Sequence, residues 1–240
     1  MQQFHRSTNN YNYNGIPIHA GVGLHESASE LCLATLPKNS TILELGSGSG
    51  AFTKRLIDLG FEVVSCDIDP IGFSAENNSI KVDLNEDFAN LFLQFSFQAI
   101  VCLEIIEHLE NPQHFLRQLN KLSKADTKIF VSFPNLYLHS SIRNFLYCGQ
   151  FASWNTSQYW EMGHQTILTD WIFESHCKKY GFKVDRKIFT AEMKLELFYP
   201  QLFKRAFVYL FLMFVRLISK DINRNKLKSD CVLFQISTNN

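Results

Sequence analysis

From residue 41 onward, short apolar runs alternate with stretches in which apolar residues recur at helical spacing. Strands that alternate with helices indicate a parallel, doubly wound sheet. The runs contain few polar residues, as expected of strands that are covered on both faces. We predict strands at Thr41–Leu45, Phe61–Cys66, Ile80–Val82, Phe97–Leu103 and Lys128–Phe133, with a closing strand at Cys231–Ser237. The pattern predicts an α/β domain with helices on both faces of the sheet.

Three segments fall outside this repeat. Residues 1–20 are polar and aromatic without any period, which predicts a mobile N-terminal arm ahead of one domain over residues 21–240. Residues 137–166 are rich in aromatics and follow the fifth strand, where an open α/β sheet presents ligand-facing loops. We interpret this aromatic insertion as a lid over a substrate. An ordinary packed insertion is an equal alternative, because aromatic residues dominate cores as well as pockets.

The third segment is an apolar helical insertion at residues 200–222. It has ten uncharged residues from Ala206 to Val215, with Lys204, Arg205, Arg216 and Lys220 at its ends. The uncharged run is far shorter than the ~20 residues of a membrane-spanning helix. A helix of this composition can be buried, form a homodimer contact, or lie in a membrane interface with its cations reaching the headgroups. For residues 202–220 we favour burial or a homodimer contact over a peripheral membrane contact, because an interfacial helix should show one polar face.

Composition narrows the function classes. The 240 residues carry 23 Lys and Arg against 23 Asp and Glu, so net charge gives no field that would collect nucleic acid. Hydrophobic residues make up 46% of the chain, as in ordinary globular proteins. The six cysteines are scattered without a CxxC pair and are expected to be reduced packing residues. The first residues lack the apolar core of a signal peptide, which predicts a cytoplasmic protein, with peripheral membrane contact as the alternative.

The strongest local signal is a glycine turn at residues 41–50, Thr-Ile-Leu-Glu-Leu-Gly-Ser-Gly-Ser-Gly. Three glycines at a strand-to-helix junction allow a ligand to approach the backbone. The spacing Gly46-x-Gly48-x-x-Ala51 also fits a dinucleotide fingerprint, so a nicotinamide enzyme is one alternative. Glu44, two residues before the first glycine, would repel a pyrophosphate but tolerate a cationic ligand.

Two more carboxylates follow the next strands. Asp67 stands 21 residues after Gly46, a spacing suited to accepting both hydroxyls of a ribose. Asp83 follows the third strand and could accept the N–H of an adenine amino group. Acids at the ends of three strands favour a nucleoside that carries positive charge.

Together these motifs resemble the class I S-adenosylmethionine-dependent methyltransferases. Within that family, the blocks Cys102-Leu-Glu-Ile-Ile-Glu-His-Leu109, Ser132-Phe-Pro-Asn135 and Gly163-His164 are similar to the branch containing ubiquinone-biosynthesis O-methyltransferases. The resemblance implies a Rossmann-like, mostly parallel seven-stranded sheet. It departs at Phe97-Gln98, where the branch has Phe-Asp, and at Ser123-Lys124-Ala125-Asp126, where the branch has Lys-Pro-Gly-Gly.

The resemblance also implies roles for individual residues. Glu44 would contact the ammonium of S-adenosylmethionine directly or through water, Asp67 would hold the ribose, and Asp83 would hold the adenine. The cofactor-binding residues implied in this way are Glu44, Gly46, Ser47, Gly48, Asp67, Ile68, Asp83, Leu84 and Leu103.

A second group, Glu104, Glu107 and His108, follows the fourth strand at i, i+3 and i+4, which predicts one helical face. His108, with Glu104, is the candidate general base for an alcohol or phenol acceptor. With His164, the same residues could hold Mg²⁺ or Mn²⁺. A similar Glu-x-x-Glu-His with a later His is the metal set of small-RNA 2′-O-methyltransferases. The residue pattern alone leaves a metal site, a metal-free base and a purely structural role open.

The sequence thus predicts an S-adenosylmethionine-dependent methyltransferase that acts on oxygen of a small-molecule or lipid-linked acceptor of quinone, sugar or natural-product type. One alternative is an RNA-end 2′-O-methyltransferase, which the neutral net charge disfavours. Another is a protein that binds the cofactor without catalysis and serves an assembly partner.

Overall fold

The computed structural model describes residues 11–192 and 224–239, together with positions 210, 213, 214 and 217. A seven-stranded sheet dominates this part of the chain, in the order β5-β4-β3-β6-β7-β9-β8. Its strands are β3 Thr41–Leu45, β4 Glu62–Asp67, β5 Ser79–Lys81, β6 Ala99–Leu103, β7 Lys128–Pro134, β8 Phe182–Glu192 and β9 Ser229–Thr238. The helices are α1 Leu24–Thr35, α2 Ala51–Asp58, α3 Pro112–Leu122, α4 His139–Cys148, α5 Asp170–Lys179 and α6 Arg224–Lys228.

The sheet confirms the predicted Rossmann-like, mostly parallel architecture. Strands β3 to β7 pair in parallel, and β9 runs antiparallel to both β7 and β8. Five parallel strands therefore end at one edge, where α/β proteins bind their ligands. The predicted strand at Thr41–Leu45 has the observed bounds of β3, and the other five predicted strands overlap β4, β5, β6, β7 and β9. The edge strand β8 was not among the six strands read from the pattern.

The sheet is buried on both faces, which explains the continuous apolar runs. In β6, Ile100 and Cys102 pack into the larger core, whereas Ala99 and Val101 pack on the opposite face with α1 and α2. Alternate residues of one strand thus serve two cores, as the period of a strand requires. All six cysteines are free and five are buried, in agreement with the expected packing role.

Residues 12–17 differ from the predicted mobile arm. They form a hairpin of β1 Asn12–Tyr13 and β2 Ile16–Pro17, joined by Asn14 and Gly15 at φ of 51° and 83°. Positive φ at both central residues is the requirement of the tight hairpin turn that Asn-Gly favours. The Tyr13 hydroxyl donates to Asp58 on α2, at 3.1 Å, so the hairpin packs against the domain. Residues 1–10 of the predicted arm lie outside the described residues.

Two insertions extend the domain. The predicted lid follows β7 and contains α4, a β-bridge between Phe151 and Trp154, and a π-helix at Gln158–Met162. The predicted apolar insertion at 200–222 lies outside the described residues except for positions 210, 213, 214 and 217, which are helical. Among the described helices, none has the length and apolar content needed to cross a bilayer.

Candidate active site

The glycine turn lies directly after β3 and before α2. Gly46 and Gly48 have φ of 79° and 49°, values that side chains rarely adopt. A Cβ atom on Gly46 would lie 2.0 Å from Cδ1 of Ile105, so the turn packs closely on the segment after β6. Around Gly48, by contrast, a Cβ atom would meet no atom within 4 Å. The turn is thus tightly packed at its first glycine and open at its second.

Asp67 joins this turn to the end of β4. One carboxylate oxygen of Asp67 accepts from the Gly48 N–H at 2.7 Å, and the other accepts from the Asp69 N–H at 3.0 Å. The backbone N–H of Val82 donates to the Asp67 carbonyl at 2.8 Å, which places the next acid, Asp83, beside it. Both carboxylates therefore lie at the carboxyl ends of neighbouring strands, as the spacing predicts.

Other predicted cofactor contacts differ in exposure. Ile68 is exposed beside Asp67, whereas Leu84 is buried in the larger core. The hydroxyl of Ser47 is buried and within 2.9 Å of the Ser79 hydroxyl. Leu103 is partly buried against the core below α1 and α2. Of these four, Ile68 offers the most apolar surface for a ligand ring.

Glu44 lies beneath the turn. Its carboxyl group is buried and accepts from the Thr53 hydroxyl on α2. The pKa of Glu44 is raised to about 8, mainly by burial; the hydrogen bond from Thr53 offsets part of this rise, and the charge of Asp67 adds to it. Glu44 is therefore mostly protonated at pH 7, and a cation nearby would favour its charged form.

The residues after β6 do not share one helical face, so that prediction is wrong. Glu104 has a φ of 55°, and the following 3-10 helix spans only Ile106–His108. A residue in the left-handed region cannot continue an α-helix, so the spacing of these three residues is not that of one helical face. Its carboxylate accepts from the Ser132 hydroxyl at 2.9 Å and lies 3.3 Å from the Cys231 sulfur.

Glu107, His108 and His164 nevertheless come together. Their ligating atoms all lie within 4.8 Å of one another, and the two imidazole rings meet edge to face with centroids 4.8 Å apart. The Glu107 carboxyl is fully buried, and neither oxygen has a hydrogen-bond partner among the described residues. Burial, with the charge of Glu104, raises the pKa of Glu107 well above its ordinary range. We name these three residues the polar cluster.

The two histidines of the polar cluster are oriented by backbone groups. Nδ1 of His164 lies 2.7 Å from the Ser153 carbonyl oxygen, which cannot donate. Nδ1 therefore carries the proton, and Nε2 of a neutral His164 is the unprotonated nitrogen. Burial lowers the pKa of His108, and hydrogen bonds to the backbone of Gly163 and Met162 partly offset this.

The lid returns across the polar cluster. The N–H groups of Gln165 and Thr166 donate to the Glu107 carbonyl at 3.1 and 3.0 Å, and the Gln165 side chain donates to the His108 carbonyl at 2.5 Å. These contacts connect residues about 57 positions apart. The sequence motif contains His164 but not Gln165, Thr166 or Ser153. Their contacts involve backbone N–H and carbonyl groups, which every residue carries, so they leave no pattern in a sequence.

A cavity of about 360 Å³ lies within the lid and reaches His164 of the polar cluster. Aromatic rings form its walls, amide side chains add hydrogen-bonding groups, and His164 belongs to its lining. Its lining residues are Gln150, Trp154, Asn155, Thr156, Tyr159, Trp160, His164, Gln165 and Ile167. Apolar walls with a few convergent polar groups are typical of small-molecule sites.

Comparison with known proteins gives the family and the fold of this chain. A family model described as a methyltransferase domain matches residues 25–187. The ubiquinone biosynthesis O-methyltransferase of Pelagibacter ubique is 28% identical over 111 residues, which are 44% of this chain and 46% of that protein. The Rickettsia bellii protein of the same name is 34% identical over 100 residues, 39% of this chain and 42% of its own length. The matched segment thus spans less than half of either relative.

Solved structures show the same fold. A SAM-dependent methyltransferase from Archaeoglobus fulgidus has a TM-score of 0.62 and 16% identity, over 89% of this chain and 94% of that chain. The magnesium protoporphyrin IX methyltransferase of Synechocystis, with bound SAH, has a TM-score of 0.55 and 16% identity, over 89% and 81% of the two chains.

Proposed function

Because the chain belongs to the class I S-adenosylmethionine-dependent methyltransferases, we propose that it transfers a methyl group to an oxygen atom of a small or lipid-linked acceptor. The observation that carries the acceptor side is the buried carboxyl of Glu107, which lies beside two imidazoles without a hydrogen-bond partner among the described residues. A buried carboxyl without a hydrogen-bond partner destabilises the folded protein unless a ligand supplies that partner.

For the methyl donor, the chain offers the open glycine turn, with the carboxylates of Asp67 and Asp83 at the ends of the neighbouring strands. The free space around Gly48 lets a ligand approach the backbone, while Asp67 and Asp83 supply acceptors for ribose hydroxyls and an adenine amino group. Exposed Ile68 offers an apolar surface for the adenine ring. The Glu44 carboxyl, whose pKa burial raises to about 8, would release its proton when an ammonium group binds nearby.

On the acceptor side, methyl transfer from a sulfonium requires positioning, exclusion of water and removal of the acceptor proton. His108 has a lowered pKa, so it is neutral at pH 7 and can accept a proton from a hydroxyl group. The contacts of Gln165 and Thr166 with the Glu107 carbonyl hold the lid against the polar cluster. Ile105 packs on Gly46 of the glycine turn, and Glu107 of the polar cluster comes two residues after Ile105.

The polar cluster also fits a divalent cation such as Mg²⁺ or Mn²⁺. Both Glu107 oxygens lack a hydrogen-bond partner among the described residues, and Nε2 of a neutral His164 is its unprotonated nitrogen because Nδ1 faces the Ser153 carbonyl. A bound cation would lower the pKa of acceptor hydroxyls that it contacts. Glu104 is left out of the proposed ion site because its carboxylate contacts Ser132 and Cys231. Through these contacts Glu104 instead connects the end of β6 to β7 and β9.

Methyl transfer tests this proposal. Radiolabelled S-adenosylmethionine would be offered with a catechol, a monophenol, a sugar diol and a short RNA with a free 2′-hydroxyl. We expect label on a small molecule, and a loss of about 100-fold or more in His108→Ala. His114→Ala is the matched control, because this imidazole lies on α3 and its Nε2 is 3.1 Å from the Glu86 carbonyl. Label on RNA alone would support the RNA-end enzyme, and tight S-adenosylhomocysteine binding without transfer would support the non-catalytic protein.

Cation binding needs a separate measurement. We expect Mn²⁺ titration, followed by electron paramagnetic resonance, to show affinity reduced by about 10-fold or more in His164→Ala. Calorimetry should give the same S-adenosylhomocysteine affinity for this variant and wild type. Unchanged Mn²⁺ affinity in the variant would refute the ion site, and so would a variant that binds neither Mn²⁺ nor S-adenosylhomocysteine.

A further inference from the structure

We propose that the cavity within the lid binds the ring of an uncharged sugar, so that the acceptor oxygen belongs to a hydroxyl group of a glycoside. This inference rests on the proposed methyl transfer and names the class of acceptor for the same site. Two properties of the cavity carry it. Aromatic rings are exposed there for stacking, and the polar groups around them are neutral amides and hydroxyls.

Tyr159 and Trp160 form the exposed part of the aromatic wall. Both belong to the π-helix Gln158–Met162, and they are 49% and 79% exposed. Their rings meet edge to face, with centroids 5.1 Å apart and an angle of 83° between the ring planes. Exposed apolar surface of this kind marks a place where a ligand packs, and π-helical turns are frequent at functional sites.

Trp154 supplies the buried part of the wall. Its indole N–H donates to the Thr166 carbonyl at 2.8 Å, which fixes the ring against the end of the lid. The indole has no second polar group, so this ring offers contact surface rather than a hydrogen bond. The face of an aromatic ring is negatively polarised, whereas the C–H groups on the face of a sugar ring are positively polarised. The two faces therefore stack on one another.

Neutral hydrogen-bonding groups lie beside these rings. The Gln150 amide donates to the Thr156 hydroxyl oxygen at 3.3 Å. The Gln165 amide donates to the His108 carbonyl at 2.5 Å. Within the described part of the chain, the side-chain oxygens of Gln150 and Gln165 accept no hydrogen bond, and the Thr156 hydroxyl donates none. Amide oxygens accept and a hydroxyl group donates, so together they match the hydroxyl groups of a ligand.

The charge of the lining separates a sugar from anionic ligands. Among the residues that the structure describes, the lining contains no Lys, Arg, Asp or Glu. Proteins bind phosphate and carboxylate groups chiefly through Arg and Lys, so this cavity does not compensate the charge of a sugar phosphate or of an RNA end. The cavity thus selects an uncharged ring.

The number of polar groups separates a sugar from a phenol or quinone. A flat aromatic acceptor would cover the wall, but its few oxygens would leave most of the amide and hydroxyl groups of the lining without a partner. A sugar ring carries C–H groups on its faces and hydroxyl groups around its rim. It therefore complements the aromatic wall and the polar lining together.

The aromatic wall is connected directly to the polar cluster. The π-helix ends at Gly163, whose φ is 74°, and the His164 N–H donates back to the Gln158 carbonyl at 3.3 Å. A Cβ atom on Gly163 would lie 3.5 Å from Nδ1 of His108. A ring stacked on the wall would thus present a hydroxyl group near both imidazoles. In transfer, the bond from the methyl carbon to sulfur breaks as its bond to the hydroxyl oxygen forms, and the hydroxyl proton passes to His108.

Ligand binding without methyl transfer tests the proposal. Calorimetry of the full chain, in the presence of S-adenosylhomocysteine, would compare neutral methyl glycosides of several hexoses and deoxyhexoses with catechol and with phosphate esters of the same sugars. We expect at least one glycoside to bind more tightly than catechol and than its phosphate ester, by about 10-fold or more. Absence of glycoside binding, or tighter binding of catechol or of a phosphate ester than of every glycoside, would overturn the proposal.

Two variants locate the sugar site. Trp160→Ala should reduce glycoside affinity by about 10-fold or more, because it removes the most exposed ring of the wall. Tyr147→Ala is the matched control, since Tyr147 is a 91% exposed aromatic residue of the lid that does not line the cavity. The control should bind the glycoside like wild type. Equal affinities of the two variants would refute the assigned stacking surface.

Thr156→Val distinguishes a sugar from an aromatic ligand. Valine keeps the shape of the side chain but lacks the hydroxyl, so glycoside affinity should fall about 5-fold while catechol affinity stays unchanged. Glycoside binding like that of wild type would contradict the polar contacts of the proposed site.

Two further readouts separate the sugar site from the methyl transfer. S-adenosylhomocysteine affinity should be unchanged in all three variants, whereas a wild-type chain that binds a glycoside but no S-adenosylhomocysteine would contradict the methyltransferase proposal alone. Label from S-adenosylmethionine should appear on the glycoside that binds. A bound glycoside that accepts no label, while another small molecule does, would refute the sugar as the acceptor.

Discussion

The buried carboxyl of Glu44 should make the stability of the protein depend on pH. Burial raises the pKa of Glu44 from 4.5 to about 8 in the folded chain. The folded state therefore holds this proton more tightly than the unfolded state. Stabilisation from this group is complete below about pH 4.5 and is lost as pH rises toward about 8. Each pKa unit corresponds to about 1.4 kcal/mol, so wild type should lose about 3 kcal/mol between pH 4.5 and pH 7 on account of Glu44.

Glu44→Gln isolates this contribution. Glutamine cannot ionise, and its side-chain oxygen can still accept from the Thr53 hydroxyl. Urea denaturation at several pH values should give equal free energies of unfolding for the two proteins near pH 4.5. The variant should be more stable by about 3 kcal/mol at pH 7. Glu30→Gln, on the exposed side of α1, is the control and should follow wild type.

The same carboxyl links pH to ligand binding. If the ammonium of S-adenosylhomocysteine binds near Glu44, binding should release a proton at pH 7. Calorimetry in buffers of different ionisation enthalpy would measure this release, and Glu44→Gln should abolish it. Parallel pH profiles for wild type and variant would refute the assigned pKa, and unchanged proton release in the variant would refute the ammonium contact.

Three further substitutions test the packing that supports the site. Gly46→Ala should reduce S-adenosylhomocysteine affinity by at least about 10-fold in calorimetry, because its Cβ would overlap Ile105 at a φ that alanine disfavours. Lys226→Met should lower the free energy of unfolding by about 3 kcal/mol, because Lys187 is then the one cation left beside the buried Asp170 among the described residues. Combining it with Asp170→Leu should recover part of the loss. Phe234→Ala should cost about 3 to 5 kcal/mol in urea denaturation, because Phe234 is fully buried between Phe133 and Phe173; a loss below about 1 kcal/mol would contradict this packing.

The strands that support the donor cleft could be predicted because they are buried on both faces. The segment Thr41–Leu45 has apolar residues at 42, 43 and 45, and the structure gives the strand the predicted bounds. The edge strand β8 lacks such a run, because exposed Lys183, Arg186 and Lys187 interrupt its apolar residues. The Asn14-Gly15 turn was a recognisable hairpin signal within a segment whose polar composition suggested an arm.

The polar cluster could be predicted only in part. The motif identified Glu107, His108 and His164, and the fold brings their ligating atoms within 4.8 Å of one another. The left-handed backbone at Glu104 could not be read from i, i+3 and i+4 spacing, because that spacing presumes a helix. Tertiary contacts of the Glu104 side chain with Ser132 and Cys231 likewise come from strands distant in sequence.

The central claim is that the glycine turn and the acids after β4 and β5 hold S-adenosylmethionine rather than a nicotinamide cofactor. Calorimetric titration of the full chain with S-adenosylhomocysteine and, separately, with NADH tests this most directly. We predict saturable binding of S-adenosylhomocysteine, weakened at least about 10-fold in Asp67→Asn, and no measurable heat from NADH. Tighter binding of NADH than of S-adenosylhomocysteine would contradict the claim.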